Sequence, residues 1–473
     1  MEGFPFKSVR EWIDFLEKKG DLLRIREEVD LRGEIDAICR KNALRDGPAL
    51  LFENIRGYPG WRCLKESLTA RRRMAWAVNI DDPKGFVRRM ASKIERQVPP
   101  VQVETGPVKE IKIIGEDVDL IKFPFPISGA FEVTPNVNGA VHTCKDPETG
   151  WQNVSIRRLG VKSERHGTTY LTRTQQDSII YGIWRKRGEP MPCAYVIGAD
   201  PVLELVSQLK APMGYCEYDF WGAITGRPLE VVKCETSDLF VPAHAEIVIE
   251  GEVPVDEREL DTPYQEAWGY HCGCSVTPKF IVKCITMRRD AIYRDISSGW
   301  VPNETHRMGG AMAAVSVLRE LQKEFPGVID VNALAMGISL IVIQVEKSAT
   351  KVWPGLAKYL GSITIFKIVP YCRTVVVVDE DTDIYNLEDI FFALANKFLP
   401  SKDMTVFEHI GGVGMLNPIE AWGNGYHTTE AIILDCTEPP PPYDGGYKRG
   451  IAKPTEKILR MVEEEWNKYG FKE

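Results

Sequence analysis

The stretch "WQNVSIRRLG", residues 151–160, decides how the middle of this chain folds. From Asn153 to Leu159 it alternates with the two-residue period of a β-strand, with Val154 and Ile156 on one side and Asn153 and Ser155 on the other. Arg157 and Arg158 then set permanent cations on opposite faces, and Arg158 follows Val154 and Ile156 toward the interior. A guanidinium on a buried face needs an anion, so the strand reads as one wall of a site.

Working outward, similar runs surround it between about residue 110 and residue 300: "EIKIIG", "GAVHTC", "CAYVIG", "LEVVKC", "AEIVIEGEV", "KFIVKCITM" and "DAIYRDI", with few helical stretches among them. Short strands at this density predict a β-barrel or sandwich. Ahead of it, Ser8 and Glu11 form a capping box, Val9, Trp12 and Leu16 an apolar stripe, and Gly20 a stop, which signals a first helix. "ALLFENI" reads as a buried strand bounded by the turn "RGYPGW"; helices are expected near 67–78 and 83–95, and "RQVPPVQVETGP" (96–107) reads as a linker. Behind it, "THRMGGAMAAVSVLRELQKEF" predicts a rigid connecting helix of about five turns. "SLIVIQVEK" and "TVVVVDED" then alternate with helices, including "LEDIFFALANKFL", capped by Asn386 and stopped by Pro400. "EPPPPYDGG" is a proline arm. The last helix puts Ile458, Met461, Val462 and Trp466 on one face, to pack either on a neighbouring subunit or on its own domain. The expected fold is thus mixed α/β and β: an N-terminal α/β unit (1–107), a β domain (108–303), a linking helix (304–325), a C-terminal α/β domain (326–437), and the proline arm with its helix (438–473).

With 473 residues, 44% hydrophobic and 27% charged, the composition is that of a folded, soluble chain of several domains. A formal net charge of −8 argues against a nucleic-acid partner. No apolar run of about 18 residues suggests a membrane span. The first residues hold no apolar signal region, and eleven scattered cysteines fit a reducing compartment, so a cytoplasmic protein is expected. "HCGC" (271–274) lacks the second ligand pair of a zinc site and reads as ordinary buried thiols. "DEDTD" (379–383) lacks the glycine and closing glutamate of a calcium loop and reads as a solvated turn. Phosphate-loop, nucleophile-elbow and zinc-protease patterns are absent.

The chemistry concentrates in "ELDTPYQEAWGYHC" (259–272), where Asp261 and Glu266 flank Pro263 and Tyr264 and are followed by Ala267, Trp268 and Tyr270. Apolar and aromatic neighbours raise a carboxyl pKa and make it a proton donor near neutrality, whereas a guanidinium pulls the other way. An Arg158–Glu266–Asp261 cluster drawn from two β segments is a workable acid/base device; a structural ion network is the alternative. Asn153, and Glu217 in "MGYCEYDFWGA", carry oxygens suited to Mg²⁺, Mn²⁺ or K⁺ bridging a cofactor phosphate, against plain readings as a turn Asn and a surface Glu.

Seven stretches in order carry a resemblance: "GPALLFENIRGYPG" (47–60), "GEDVDLIKFPFP" (115–126), "NVSIRR" (153–158), "IGADP" (197–201), "VVKCETSDLFVPAHAEIVIEG" (231–251), "TPYQEAWGY" (262–270) and "NETH" (303–306). Over almost its whole length the chain resembles the UbiD-like decarboxylases. The resemblance implies homodimers or homohexamers whose central domain is a split β-barrel of the flavin-reductase type. It implies prenylated FMN, made by a flavin prenyltransferase and held by its phosphate through Mn²⁺ or Mg²⁺ and K⁺. By the same resemblance Asn153 and Glu217 are metal ligands, Ser155, Ile156, Gln175 and Arg158 line the cofactor, Arg158 binds the substrate carboxylate and Glu266 donates the proton. Arg157 stands where relatives vary. Two positions depart from the family: Asp261, which holds Arg158, replaces the usual Glu, and Gln176 falls where relatives often carry a metal-binding His. The five-residue spacing puts Asn153 and Arg158 on opposite faces of an ideal strand, so a bulge or strand end is expected between them. The implied reaction is reversible, non-oxidative decarboxylation of an aromatic, heteroaromatic or other α,β-unsaturated carboxylic acid. A non-catalytic subunit of a multi-subunit aryl carboxylase and a plain FMN oxidoreductase are the rival readings.

Overall fold

The structure is a computed structural model that describes residues 3–171, 175–334, 339–370, 372–411, 420–422, 426–438, 452 and 454–470. Six strands close an antiparallel barrel: β1 (Asn136–Lys145), β2 (Gln152–Val161), β3 (His166–Thr169), β4 (Met191–Ile197), β5 (Ile247–Val253) and β6 (Ser275–Met287). The order β5-β4-β1-β2-β3-β6 returns to β5 through a ladder from Ile247↔Met287 to Glu252↔Ile281, which removes the open edges. Both faces of these strands are covered. Tyr195, Leu159 and Phe280 join one apolar cluster, while Val154, Val196 and Val248 join another that runs into the linking helix and the C-terminal sheet. That is why the first nine residues of β1 are all buried.

Three helices interrupt the barrel strands where the sequence suggested few: Gln176–Arg187, Pro201–Val206 and Glu217–Thr225. The first buries only Asp177, Ile180 and Tyr181 along its length, and the last is buried nearly all round, so neither shows the usual apolar stripe. The run "DAIYRDI" is a second correction. Its strand Ile292–Arg294 leaves the barrel and pairs in parallel with Arg62–Lys65, completing a four-stranded sheet with Leu22–Ile25 and Ala49–Phe52. Residues 96–107 do more than link, because Val101–Gln102 pairs in parallel with Glu230–Lys233. The first helix, Val9–Lys18, forms as its cap signals: Ser8 Oγ accepts from Glu11 N–H, and Glu11 Oε2 accepts from Lys7 N–H at 2.8 Å.

The linking helix, Glu304–Gln322, starts where Asn303 accepts from His306 N–H at 2.8 Å. Gly309, Gly310, Ala311, Ala313 and Ala314 let neighbouring elements approach it closely. Glu304 accepts from Arg294 at 2.7 and 2.9 Å and from the backbone N–H groups of Leu68 and Glu66 at 2.6 and 3.2 Å, which ties the helix to the N-terminal sheet. In the C-terminal sheet, Leu340–Val345, Thr374–Asp379 and Tyr426–Cys436 run parallel and Val328–Ala333 and Met404–Gly411 flank them antiparallel. The "DEDTD" run does turn, with Glu380 exposed, but it is only partly solvated: Asp379 is fully buried at a strand end beside Lys397, and Asp381 pairs with Lys347 and Lys397. On the terminal helix Glu456–Glu464, Ile458, Leu459 and Met461 face solvent; the proline arm lies outside the described residues. Among the described residues no helix is long and apolar enough to cross a membrane.

Candidate active site

β1 and β2 pair with Val137 opposite Leu159 and Ala140 opposite Arg157, so Asn138 and Gly139 together face the single residue Arg158. The bulge or strand end expected within β2 between Asn153 and Arg158 is absent; the bulge lies in β1 instead. Gly139 permits it, since a Cβ there would sit 3.0 Å from Ile296 Cβ. β2 itself runs unbroken. Asn153 and Arg158 keep their opposite faces and line two different cavities, of about 400 and 180 Å³, that share Ile156, Arg157, Gln175, Gln208 and Lys210.

In the smaller cavity Arg158 meets both carboxylates expected of it. Its Nη2 donates to Asp261 Oδ2 at 2.6 Å, and its Nε lies 3.6 Å from Glu266 Oε1. Asp261 Oδ1 accepts from the Thr168 hydroxyl at 2.8 Å, which fixes the carboxylate from behind. The rings of Tyr264 and Tyr170 lie 4.4 and 5.3 Å from the guanidinium and confine it by cation–π contact. Burial works against the Arg158 charge, yet Glu266 and Asp261 outweigh it and hold the pKa above its usual value. For Glu266 burial is the larger effect and Arg158 the opposing one, so its carboxyl is shifted toward the protonated form. Arg158 Nη1 and Glu266 Oε1 are both buried without a hydrogen-bond partner, two groups aligned for something the protein itself does not supply.

The larger cavity gathers Asn153, Ser155, Ile156, Gln175, Gln176 and Glu217. Glu217 opens its helix, and its Oε2 accepts from Val154 N–H at 2.9 Å. Burial pushes its carboxyl up to about 8, and it forms no ion pair among the described residues. Gln176 Nε2 donates to Ala211 O at 2.8 Å, leaving Oε1 as the atom free to ligate. Asn153 Nδ2, Ser155 Oγ and Gln208 Nε2 are buried and unpartnered. A buried carboxylate, two amides and unpaired polar atoms suit a phosphorylated cofactor with a hard cation. No three His, Cys, Asp or Glu side chains converge here or at any other place among the described residues, so a cation in this cavity would rely on amide as well as carboxylate oxygens. "HCGC" is not a pair of buried thiols: Cys272 is half-buried and Cys274 exposed.

Several lining residues escaped the sequence reading. Lys210, which burial pushes down to about 8, and Lys367 of the C-terminal domain bring cations to the larger cavity. Asn138, Tyr170 and His306 line the smaller one. No local pattern marks any of them, because each becomes a neighbour only through barrel closure or domain contact. Arg157 forms an ion pair with Asp177, and although burial opposes it, that guanidinium holds the Asp177 carboxyl below its usual range.

Comparison with known proteins gives a consistent picture. The sequence matches the UbiD 3-octaprenyl-4-hydroxybenzoate carboxy-lyase models over its N-terminal domain (residues 13–94), Rift-related domain (100–300) and C-terminal domain (306–436). A pyrrole-2-carboxylic acid decarboxylase of Pseudomonas aeruginosa is 29% identical, the match covering 98% of each chain. The UbiD-class enzyme HmfF from Pelotomaculum thermopropionicum, solved with FMN, is 30% identical over 96% of this chain and 99% of that one, with a TM-score of 0.82. An evolved dimeric form of HmfF, solved with prFMN, gives 29%, 97% and 100%, and 0.81. Vanillic acid decarboxylase from Sedimentibacter hydroxybenzoicus, in closed form, gives 25%, 98% and 99%, and 0.86.

Proposed function

The chain belongs to the UbiD family and is a carboxy-lyase, and from that premise we propose that it catalyses reversible, non-oxidative decarboxylation of an aromatic, heteroaromatic or other α,β-unsaturated carboxylic acid, using prenylated FMN. The observation that carries this reading is Arg158 Nη1, buried and unpartnered on a guanidinium that meets Asp261 through Nη2 and Glu266 through Nε. When bound, prenylated FMN supplies the electron sink that loss of CO₂ from an sp² carbon requires.

The protein's own part follows from its geometry. Arg158 takes the substrate carboxylate on Nη1 while Asp261 holds the opposite edge of the guanidinium, so the acid is oriented before it reacts. Tyr264, Trp268 and Ile156 keep water from the reacting carbon. Glu266, its carboxyl biased toward the protonated form, delivers a proton to the carbon that CO₂ leaves; in the reverse direction it takes that proton back. Asn153, Glu217 and Gln176 would offer oxygens to Mn²⁺ or Mg²⁺, with K⁺ as the second ion the family reading calls for. Ser155, Ile156 and Gln175 would line the cofactor, and the Lys210 and Lys367 cations of the same cavity would complement its phosphate. Eleven free cysteines favour the cytoplasm, and the exposed Ile458–Leu459–Met461 stripe favours a homodimer or homohexamer.

The test is expression with and without a flavin prenyltransferase. CO₂ release is then followed over a panel of pyrrole, furan, benzoic and acrylic acids. Activity is expected only after co-expression. Equal activity from protein carrying FMN alone would overturn the cofactor assignment, and no release from any acid would overturn the reaction.

A further inference from the structure

The proposed reaction gives no task to "HCGC", yet its first cysteine stands beside the proton donor. Residues 264–272 form a tight hairpin: Glu266 N–H donates to Tyr270 O and Cys272 N–H to Tyr264 O, both at 2.9 Å, and Gln265 is bridged to His271. In an antiparallel pair alternate residues share a face, so Tyr264, Glu266 and Cys272 look one way and Gln265 and His271 the other. The Tyr264 ring against Arg158 shows that the first face looks into the catalytic cluster. Cys272 is the diagonal neighbour of Glu266 across this hairpin, a spacing that a side chain as long as glutamate can span.

We infer that Cys272 is a positioning residue for the proton donor: its thiol donates to the Glu266 carboxyl and holds it turned toward Arg158 and the substrate carbon. The inference rests on the reading of Glu266 as that donor. The groups facing Glu266 are Arg158 and Asp261 from the barrel, Glu132, Tyr170, Tyr264 and Cys272, with His306 across the cavity. Two of them are anionic, one is the cation already shared with Asp261, and the Tyr264 hydroxyl is engaged by Asn138 O at 3.1 Å. The thiol is thus a neutral donor placed to orient the acid without adding charge.

A donor to a carboxylate favours its ionised form. Without the thiol, Glu266 should stay protonated to higher pH, and it should also point less reproducibly. Carboxylate binding depends on Arg158 and should change little. A cysteine that merely filled space would alter stability and leave the pH profile in place.

The experiment measures kcat and KM against pH for holoenzyme of the wild type, Cys272→Ala, Cys272→Ser and Glu266→Gln. The Ala variant is expected to lose several-fold in kcat with KM little changed, and its alkaline limb to move up by roughly 0.5–1 unit, the shift equivalent to one net hydrogen bond. The Ser variant, which keeps an O–H donor, is expected to restore the limb. S-methylthiolation of Cys272 on the folded Cys274→Ser enzyme removes the same donor without refolding and should reproduce the Ala result. A limb unmoved in both the Ala variant and the methylthiolated enzyme, or unrestored by Ser, overturns the inference. If Glu266→Gln keeps full turnover, the proton-donor reading itself fails; if it is inactive while the limb of the Ala variant stays put, only the role of Cys272 fails.

Discussion

Removing the Asp261 carboxylate distinguishes a catalytic cluster from a buried ion network that only stabilises the barrel. The residue is 2% exposed and accepts two hydrogen bonds, from Arg158 Nη2 at 2.6 Å and from the Thr168 hydroxyl at 2.8 Å. In Asp261→Ala the guanidinium is left with Glu266 at 3.6 Å as its counter-charge, and Thr168 loses its acceptor. Breaking one side of a buried pair costs about 3–5 kcal/mol. At about 2–4 °C per kcal/mol for a domain of the barrel's size, the melting temperature should fall by roughly 6–20 °C. Asp261→Asn keeps the shape and loses the charge, so it should melt closer to the wild type. If Asp261 positions Arg158, both variants lose turnover well below their melting temperatures. Their alkaline limit should also move down, because Arg158 then pairs more closely with Glu266 and favours its ionised form. Asp261→Glu should not simply preserve the site: the added methylene pushes into a carboxylate already held by Arg158 and Thr168 and overpacks the pocket by about 1–3 kcal/mol. Circular-dichroism melting paired with kcat at a temperature where every variant is folded makes the measurement. Folded Ala and Asn variants with wild-type kcat would refute the positioning role.

Two further outcomes are expected. Gln176→Ala should lower flavin occupancy while leaving the Arg158 cluster intact, and Gln176→His should move metal preference toward transition ions; unchanged metal content and full flavin absorbance in the Ala variant would remove Gln176 from the ligand set. Burial pushes His142 down to about 4 from an ordinary value near 6.5, so the unfolded chain binds the extra proton first; its contribution of about 3 kcal/mol is present above pH ~6.5 and lost as pH falls toward 4, and His142→Phe should flatten that part of the unfolding-stability profile.

The strands around Arg158 were legible because alternation survives wherever one face meets a core, as in β2 and β4. Helices 176–187 and 217–225 were not, since one is mostly buried or half-buried without an apolar stripe and the other is buried on nearly every side. Strand Ile292–Arg294 carried a β signal but no information on which sheet it joins, and its partner Arg62–Lys65 is remote in sequence. At the site, Arg158, Asp261 and Glu266 could be named from aromatic context and from resemblance, and the structure brings the three together. Lys210, Lys367 and Tyr170 could not, because a lone basic or aromatic residue has no periodic signature and acquires its neighbours only when the barrel closes. The irregularity expected between Asn153 and Arg158 assumed that both serve one face; the structure keeps them on opposite faces of an unbroken β2, and the bulge at Asn138 and Gly139 belongs to β1.

The central claim is that Glu266 completes decarboxylation by giving a proton to the carbon that loses CO₂. The most direct test compares the initial rate of product formation and CO₂ release by Glu266→Gln and wild-type holoenzyme at matched flavin occupancy, in H₂O and in D₂O. The account predicts that wild-type product formed in D₂O carries deuterium at the vacated carbon, and that the variant keeps its cofactor yet turns over about 10²–10⁴-fold more slowly. A Glu266→Gln enzyme that turns over at the wild-type rate would contradict it.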